Sequence, residues 1–409
     1  MFKRKQYISS SSLSRKAWKR FLQSKLAVGA LIFIGFAVVI SLLGYLITPD
    51  NTPFANQQFL ELTTKKPGFS VKMLMVRKNE PASAKNFFST MISGHKSEYT
   101  AVPIYKYSFK SDTIFVEAYT GAVPNDGEIK AYNFADVLFP LQAETAPVLS
   151  SDGTISFTDI DGNPVTKSCA ELKTEIEKNN IIDKTFLLGT DRFGRDLLSQ
   201  LMIGTRVSLS VGLISVLISL VIGILFGALA GYFRGWVDNV IVWFINVIWS
   251  IPTLLLVIAI TFALGKGFWQ VFIAVGLTMW VEVARVVRGQ ILSIREKEFV
   301  EAGKALGFKS FRIIFRHILP NVMGAVIVIS AANFASAILI EAGLSFLGIG
   351  VQPPMPSWGT MIKEHYAYII LDAAYLAIIP GIAIMLMVLA FMLVGNALRD
   401  ALDVKTVSK

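Results

Sequence analysis

The sequence predicts an all-α polytopic membrane protein with six transmembrane helices and an α/β or α+β insert between the first and second. Three observations lead there. The 409 residues are 53% hydrophobic and only 17% charged, against roughly 25% charged in a soluble domain. The apolar residues gather in uncharged runs of about 20, the length that crosses a bilayer core of about 30 Å at 1.5 Å per residue. One long stretch, 48–185, breaks this pattern.

The N-terminal segment 1–25 is basic and serine-rich. The first apolar run, 26–47, is too long for a signal peptide and ends at Thr48-Pro49-Asp50 without a small-residue cleavage site, so it reads as a retained helix. In the insert, the alternation over Ile104–Phe109 and Thr113–Tyr119 predicts strands. Asp161-Gly162-Asn163-Pro164 is a turn signal, and 168–179 reads as a helix with Ser168 at its N-cap. The remaining residues, 186–405, read as a five-helix core with spans at 207–230, 239–264, 268–284, 318–340 and 373–398. Gly223, Gly227 and Gly231, four residues apart, suit close helix packing. Pro252 is placed to kink or break the third span.

Charge gives the orientation. Residues 48–183 hold 13 Lys/Arg against 17 Asp/Glu, leaving 26 against 12 elsewhere. Basic residues crowd 1–25, the stretch 285–317 and the tail (Arg399, Lys405, Lys409), whereas the connections holding Lys266 and Lys363 have one each. By the positive-inside rule both termini are cytoplasmic and the insert lies outside. The high net charge thus belongs to membrane flanks, which argues against nucleic acid as a partner. The single cysteine, Cys169, permits no internal disulfide, and His95, His317 and His365 are too scattered to predict a metal site.

The cytoplasmic stretch at about 289–318 carries the most information. Phe299, Ala302, Gly303 and Leu306 recur at helical spacing, giving a short helix an apolar face of small residues. Gly307 suits a left-handed helix end and Ser310 the cap of the next helix. A bent helical pair of this kind suits a partner's groove, although an ordinary solvated loop fits the same pattern. Gly303, Gly307, Lys309 and Ser310 do not form a phosphate-binding loop: the spacing is wrong and the context is helical. No other stretch supplies that motif, so the chain is not expected to hydrolyse ATP.

Glu301-Ala302-Gly303, Gly307 and Leu319-Pro320 resemble the cytoplasmic Glu-Ala-Ala loop of ABC importer permeases, with Gly303 where alanine is usual. Arg316–Asn321 is similar to the loop end of the peptide and nickel branch. Leu188–Asp196, Ala230–Asp238, Glu341–Trp358 and Leu398–Asp403 resemble the C-type permease of dipeptide, oligopeptide and nickel importers. The likeness covers 15–49 and 184–405; the insert is longer than this family usually has. The resemblance implies the type I importer fold in a bacterial inner membrane, and import of peptides or a related solute such as nickel. It further implies a heterodimer with a second permease, two ATPases holding ATP and magnesium, and an outer substrate-binding protein. On this likeness Glu301, Ala302, Gly303, Gly307, Leu319 and Pro320 form the ATPase-coupling loop, and this chain binds no cofactor itself.

Other candidates are weaker. Asn246 and Asn333, inside spans, are candidates for the translocation path, with interhelical hydrogen bonding the commoner use. Asp191, Arg192, Arg195 and Asp196 read as a local charge network, with receptor contact as the alternative. Glu282 and Glu341 read as acids at the ends of their spans. A proton-coupled secondary transporter and an export-type permease are the rival functions. The first would call for midplane ionisable residues and broken helices.

Overall fold

The computed structural model describes residues 13–81, 86–142, 145–265 and 267–402. Lys3, Arg4, Lys5, Lys266, Asp403, Lys405 and Lys409 lie outside them. The chain divides into two compact units: Met1–Ser41 with Gly204–Tyr366 and Ala377–Lys409, and Leu42–Ile203 with Ala367–Leu376.

Helices α1 (Leu13–Phe21) and α2 (Lys25–Ile47) come first. α2 stops because Thr48 precedes Pro49, and a residue before proline is driven out of the helical region. Then follow β1 (Phe69–Arg77), α3 (Phe87–Ser93), β2 (Tyr99–Lys110), β3 (Thr113–Ala118), β4 (Ile129–Asn133), α4 (Phe134–Leu138), β5 (Val148–Leu149), β6 (Thr154–Thr158), β7 (Pro164–Ser168), α5 (Cys169–Glu175) and β8 (Ile181–Phe186).

One sheet has the order β4-β3-β2-β1-β8 and a second the order β5-β6-β7. Every pair is antiparallel, so this unit is α+β in kind. Alternate residues of β3, Ile114 and Val116, are fully buried with Leu74, Ile104, Phe134, Ile155 and Leu172, as a half-buried strand requires. The expected Asp161–Pro164 turn joins β6 to β7, with Gly162 at φ +84° and the Asp159 carboxylate accepting from the Asp161 and Asn163 amides. Ser168 does precede α5, but its side chain makes no capping hydrogen bond.

The helical remainder contains α6 (Leu197–Phe233), α7 (Gly235–Trp249), α8 (Thr253–Leu264), α9 (Phe268–Ile294), α10 (Glu298–Ala305), α11 (Ser310–Arg312), α12 (Leu319–Leu347), α13 (Trp358–His365) and α14 (Tyr375–Leu402). A wide helical turn, Ile313–Ile318, joins α11 to α12. Five helices among the described residues are long and apolar enough to cross a membrane. The count becomes six if the pair α7 and α8 is one broken span; they diverge by 92° at the break before Pro252.

Three span ends differ from expectation. α6 begins at Leu197, ten residues before the predicted start. α9 runs to Ile294, ten residues past the predicted end, and α12 runs to Leu347. Glu282 and Glu341 therefore lie within long helices. The charges at Glu282, Arg285 and Arg288 do not end α9 because they fall three residues apart on one flank. Val283, Val287 and Ile291 on its other side are fully buried.

The three glycines of α6 pack against α9. A Cβ at Gly223 would stand 2.7 Å from the Trp280 carbonyl, one at Gly227 2.6 Å from the Ala284 carbonyl, and one at Gly231 3.0 Å from the Arg288 carbonyl. The two helices approach closely at three points over about two turns, a seam that favours glycine. A bidentate ion pair, Arg288 Nε and Nη2 to Asp238 at 2.6 and 2.7 Å, ties α9 to α7.

Candidate functional site

The segment between α9 and α12 is built around one helix end. α10 closes in a Schellman motif: the Phe308 amide donates to the Gly303 carbonyl at 3.0 Å and the Gly307 amide to the Lys304 carbonyl at 2.9 Å. Gly307 sits at φ +75°, a conformation that costs an L-residue roughly 1–2 kcal/mol, which explains the glycine.

The two faces of α10 differ from the expected pattern. Val300 and Gly303 turn inward; Val300 packs in a cluster with Ile313, Ile314 and Ile318, and a Cβ on Gly303 would meet Phe308 at 3.6 Å. Gly303 therefore leaves the exposed face, which consists of Phe299, Ala302 and Leu306, with Leu306 72% exposed. Glu301 is exposed beside it and makes no ion pair among the described residues. Ser310 does not cap: Lys309 occupies the N-cap position, and no side-chain bond is made there. The stop comes instead from Gly307, so no second cap is needed. Phe308 carries the His317 ring stacked on one side at 5.8 Å and the Arg312 guanidinium at 4.2 Å. Pro320 lies in the first turn of α12, where its missing N–H costs nothing. Leu319 is the first residue of that helix.

The result is a short, rigid knuckle. It presents a large aliphatic side chain, a phenyl ring and a free carboxylate to whatever lies beyond it.

Asn246 and Asn333 are not brought together by any contact. Asn246 Oδ1 accepts from Arg285 Nη2 at 3.3 Å. Asn333 is 1% exposed, and neither amide atom has a hydrogen-bond partner among the described residues. Glu341 is fully buried and accepts from Ser345 Oγ at 2.7 Å.

Asp191, Arg195 and Asp196 are 1%, 6% and 3% exposed. Asp191 accepts from the Phe193 and Arg195 amides at 2.8 and 2.9 Å, and its second oxygen takes Arg195 Nε. Asp196 accepts from the Ser199 amide and hydroxyl, and Ser199 Oγ in turn accepts from the Asp50 amide. Burial lifts the Asp196 carboxyl above its usual range. Asp191, Arg195 and Asp196 are thus buried in local contacts, whereas Arg192, over the Phe193 ring, is half-buried. The glycines of this stretch have a steric cause. A Cβ at Gly194 would overlap the Phe59 carbonyl at 1.8 Å, and Gly194 stands at φ +72°.

Glu282, expected at the end of its span, is placed differently by the structure. It is exposed midway along α9 and has no ion pair or hydrogen bond among the described residues. The signal was the three-residue spacing of Glu282, Arg285 and Arg288, which marks one flank of a continuing helix and not its end.

The family described as binding-protein-dependent transport system inner membrane component matches residues 223–407. The N-terminal TM domain of oligopeptide transport permease C matches residues 12–67. The chain is 42% identical over 218 residues to the glutathione transport system permease protein of Pectobacterium atrosepticum, covering 53% of this chain and 72% of that protein. It is 42% identical over 217 residues to the dipeptide transport system permease protein of Alkalihalophilus pseudofirmus, covering 53% and 71%. Among solved structures, the MetNI methionine ABC transporter in an inward-facing conformation is similar at 18% identity and a TM-score of 0.42, covering 50% of this chain and 96% of that one. The assignment rests on the sequence matches at both ends of the chain: it belongs to the binding-protein-dependent transport system inner membrane component family, as a C-type permease subunit of an ABC transporter in the inner membrane.

Proposed function

We propose that the chain is one of two different permease subunits of an ATP-driven importer of short peptides. Its relatives, named for glutathione and dipeptide transport, support the substrate class. In this reading both termini are cytoplasmic, the strand-bearing unit is outside, and a separate binding protein delivers substrate there. Two partner ATPases hold ATP and magnesium, and the permease fold is that of type I importers. The expected division into a first span at 26–47, an insert at 48–185 and a permease core at 186–405 belongs to the same reading.

The observation that carries it is the exposed knuckle of α10. Phe299, Ala302 and Leu306 form an apolar surface with Glu301 at its edge, on a helix whose end is fixed by Gly307. An apolar ridge flanked by charged residues suits a groove on a partner. Glu301, Ala302, Gly303 and Gly307 would take up the closing motion of the ATPases, and Leu319-Pro320 would pass it into α12. Asn246 joins the translocation path through Arg285; Asn333 supports the packing of its helix. Of the outer-loop charges, Arg192 is the most accessible and would be the one to meet the receptor.

The test is reconstitution of the complete transporter in proteoliposomes with a labelled dipeptide. Uptake should require ATP and persist without a proton gradient. Gly307→Val should assemble with the ATPases and lose receptor-stimulated uptake, because valine resists φ +75°. Uptake driven by a proton gradient without ATP would overturn the reading in favour of a secondary transporter.

A further inference from the structure

The α7/α8 break opens a pocket of about 200 Å³ inside the helical unit, far more than the roughly 30 Å³ of one water. Its walls come from both sides of the break (Trp249, Thr253), from α9 (Thr278, Glu282) and from α12 (Ser336, Ile340). The lining mixes apolar side chains (Ile248, Leu256, Met279, Ile340) with the hydroxyls of Thr253, Thr278 and Ser336 and the Trp249 indole, and Glu282 is the only charged residue among the described lining side chains.

That charge is out of place unless it has a ligand. Glu282 lies fourteen residues into α9, about 21 Å along a helix at 1.5 Å per residue, and so within the apolar length. A carboxylate at such depth is costly and marks function more often than structure. Nothing in the described residues neutralises it. The nearest cation along the helix, Arg285, makes no ion pair with it: its guanidinium lies 3.3 Å over the ring of Trp249, itself a wall of the pocket, and donates to Asn246. In secondary transporters, broken helices that line a cavity hold the cargo, and a break of the same kind borders this pocket.

We propose that this pocket is a transit site for a substrate's free ammonium group, with Glu282 as its counter-charge and the Thr253, Thr278 and Ser336 hydroxyls beside it. For a short peptide, the group is the N-terminal amine. This deepens the proposed import of short peptides and rests on it for the identity of the cargo. The recognition chemistry, a carboxylate and hydroxyls around a primary ammonium, is independent of that identity.

The experiment uses the complete transporter in nanodiscs with Glu282→Gln. Without the binding protein, binding of alanylalanine and of its N-acetyl form is measured by equilibrium dialysis. The wild type should prefer the free amine at least tenfold, and Glu282→Gln should remove the preference while leaving the acetylated form unchanged. With the binding protein present, Glu282→Gln should lower dipeptide uptake at least tenfold without altering the binding protein's own affinity. Equal preference in wild type and variant overturns the proposal. So does failure of the variant to assemble with the second permease, which would make Glu282 an intersubunit pairing residue. Absence of wild-type dipeptide uptake would count against the peptide reading alone, because the dialysis still decides the role of Glu282.

Discussion

Replacing Gly227 by alanine tests the α6/α9 seam with one methyl group. The new Cβ would stand 2.6 Å from the Ala284 carbonyl and 2.8 Å from Val287 Cβ. Ordinary contact begins near 3.4 Å, so the helices must separate by several tenths of an ångström. The obstacle is backbone, which cannot rotate away. Overpacking of this kind costs about 1–3 kcal/mol. The separation would also loosen the buried cluster of Val283, Val287, Ile291 and Val322. Gly35, in α2, is the control: a Cβ there meets nothing within 4 Å. Gly35→Ala should be neutral or gain up to about 1 kcal/mol from helix propensity. Both variants are purified as the complete transporter, and their thermal unfolding is followed in one detergent. Gly227→Ala should melt clearly below the wild type and Gly35→Ala at or above it. Equal melting temperatures for the two variants would refute the close-approach account of the glycines.

Three further outcomes follow from the same geometry. Gly303→Ala should keep full transport, because its nearest neighbours, Phe308 and Ile313, stand at 3.6 and 3.8 Å; loss of uptake would show that the buried face of α10 is tighter than this. Ile318→Ala removes a fully buried side chain from the cluster that joins α10 to α12, a truncation worth about 2–5 kcal/mol; it should raise the ATP consumed per peptide imported, and an unchanged ratio would remove that cluster from the coupling route. Burial raises the Asp136 carboxyl above its ordinary 3.8, so its ionised form costs the folded state stability that is lost as pH rises through the folded value. Asp136→Asn should therefore match the wild type below pH 3.8 and be more stable at pH 7, read by hydrogen exchange in β3, β4 and α4; a constant difference across pH would contradict this.

The parts legible in the sequence are those set by local chemistry. Gly307 is readable because a helix with an apolar face must end somewhere, and glycine alone enters the left-handed region freely. Likewise Pro252 marks a break, and the four-residue spacing of Gly223, Gly227 and Gly231 announces a seam before its partner is known. The rest depended on what lies across from a residue. Gly303 has the right period for the exposed face of α10, yet the turn at Gly307 brings Phe308 back under it. Asp191 and Asp196 look like surface charges until Arg195 and Ser199 fold onto them. Glu282 reads as the end of a span only if charge is taken to end helices. A helix buried on one side and polar on the other can carry charge through its middle, and Val283, Val287 and Ile291 show that α9 does so.

That continuity gives the proposed coupling a physical route. The two helices that flank the α10 knuckle, α9 and α12, are also two walls of the pocket. Glu282 lies twelve residues before the end of α9, and Ser336 lies seventeen residues after the start of α12, roughly 18 and 26 Å along each axis. The two helices pack in two separate clusters, one with Val287, Ile318 and Val322 near the knuckle and one with Val275, Ala337 and Leu344 farther on. A well-packed core transmits displacement in place of absorbing it. A push on Leu306 would therefore reach the pocket by tilting the two helices, with the wide turn at Ile313–Ile318 as the point that bends. The α7/α8 break can yield on the opposite wall, since Trp249 and Thr253 are joined by only three non-helical residues. A pocket with two stiff walls and one hinged wall has two arrangements available, which is the minimum that alternating access requires.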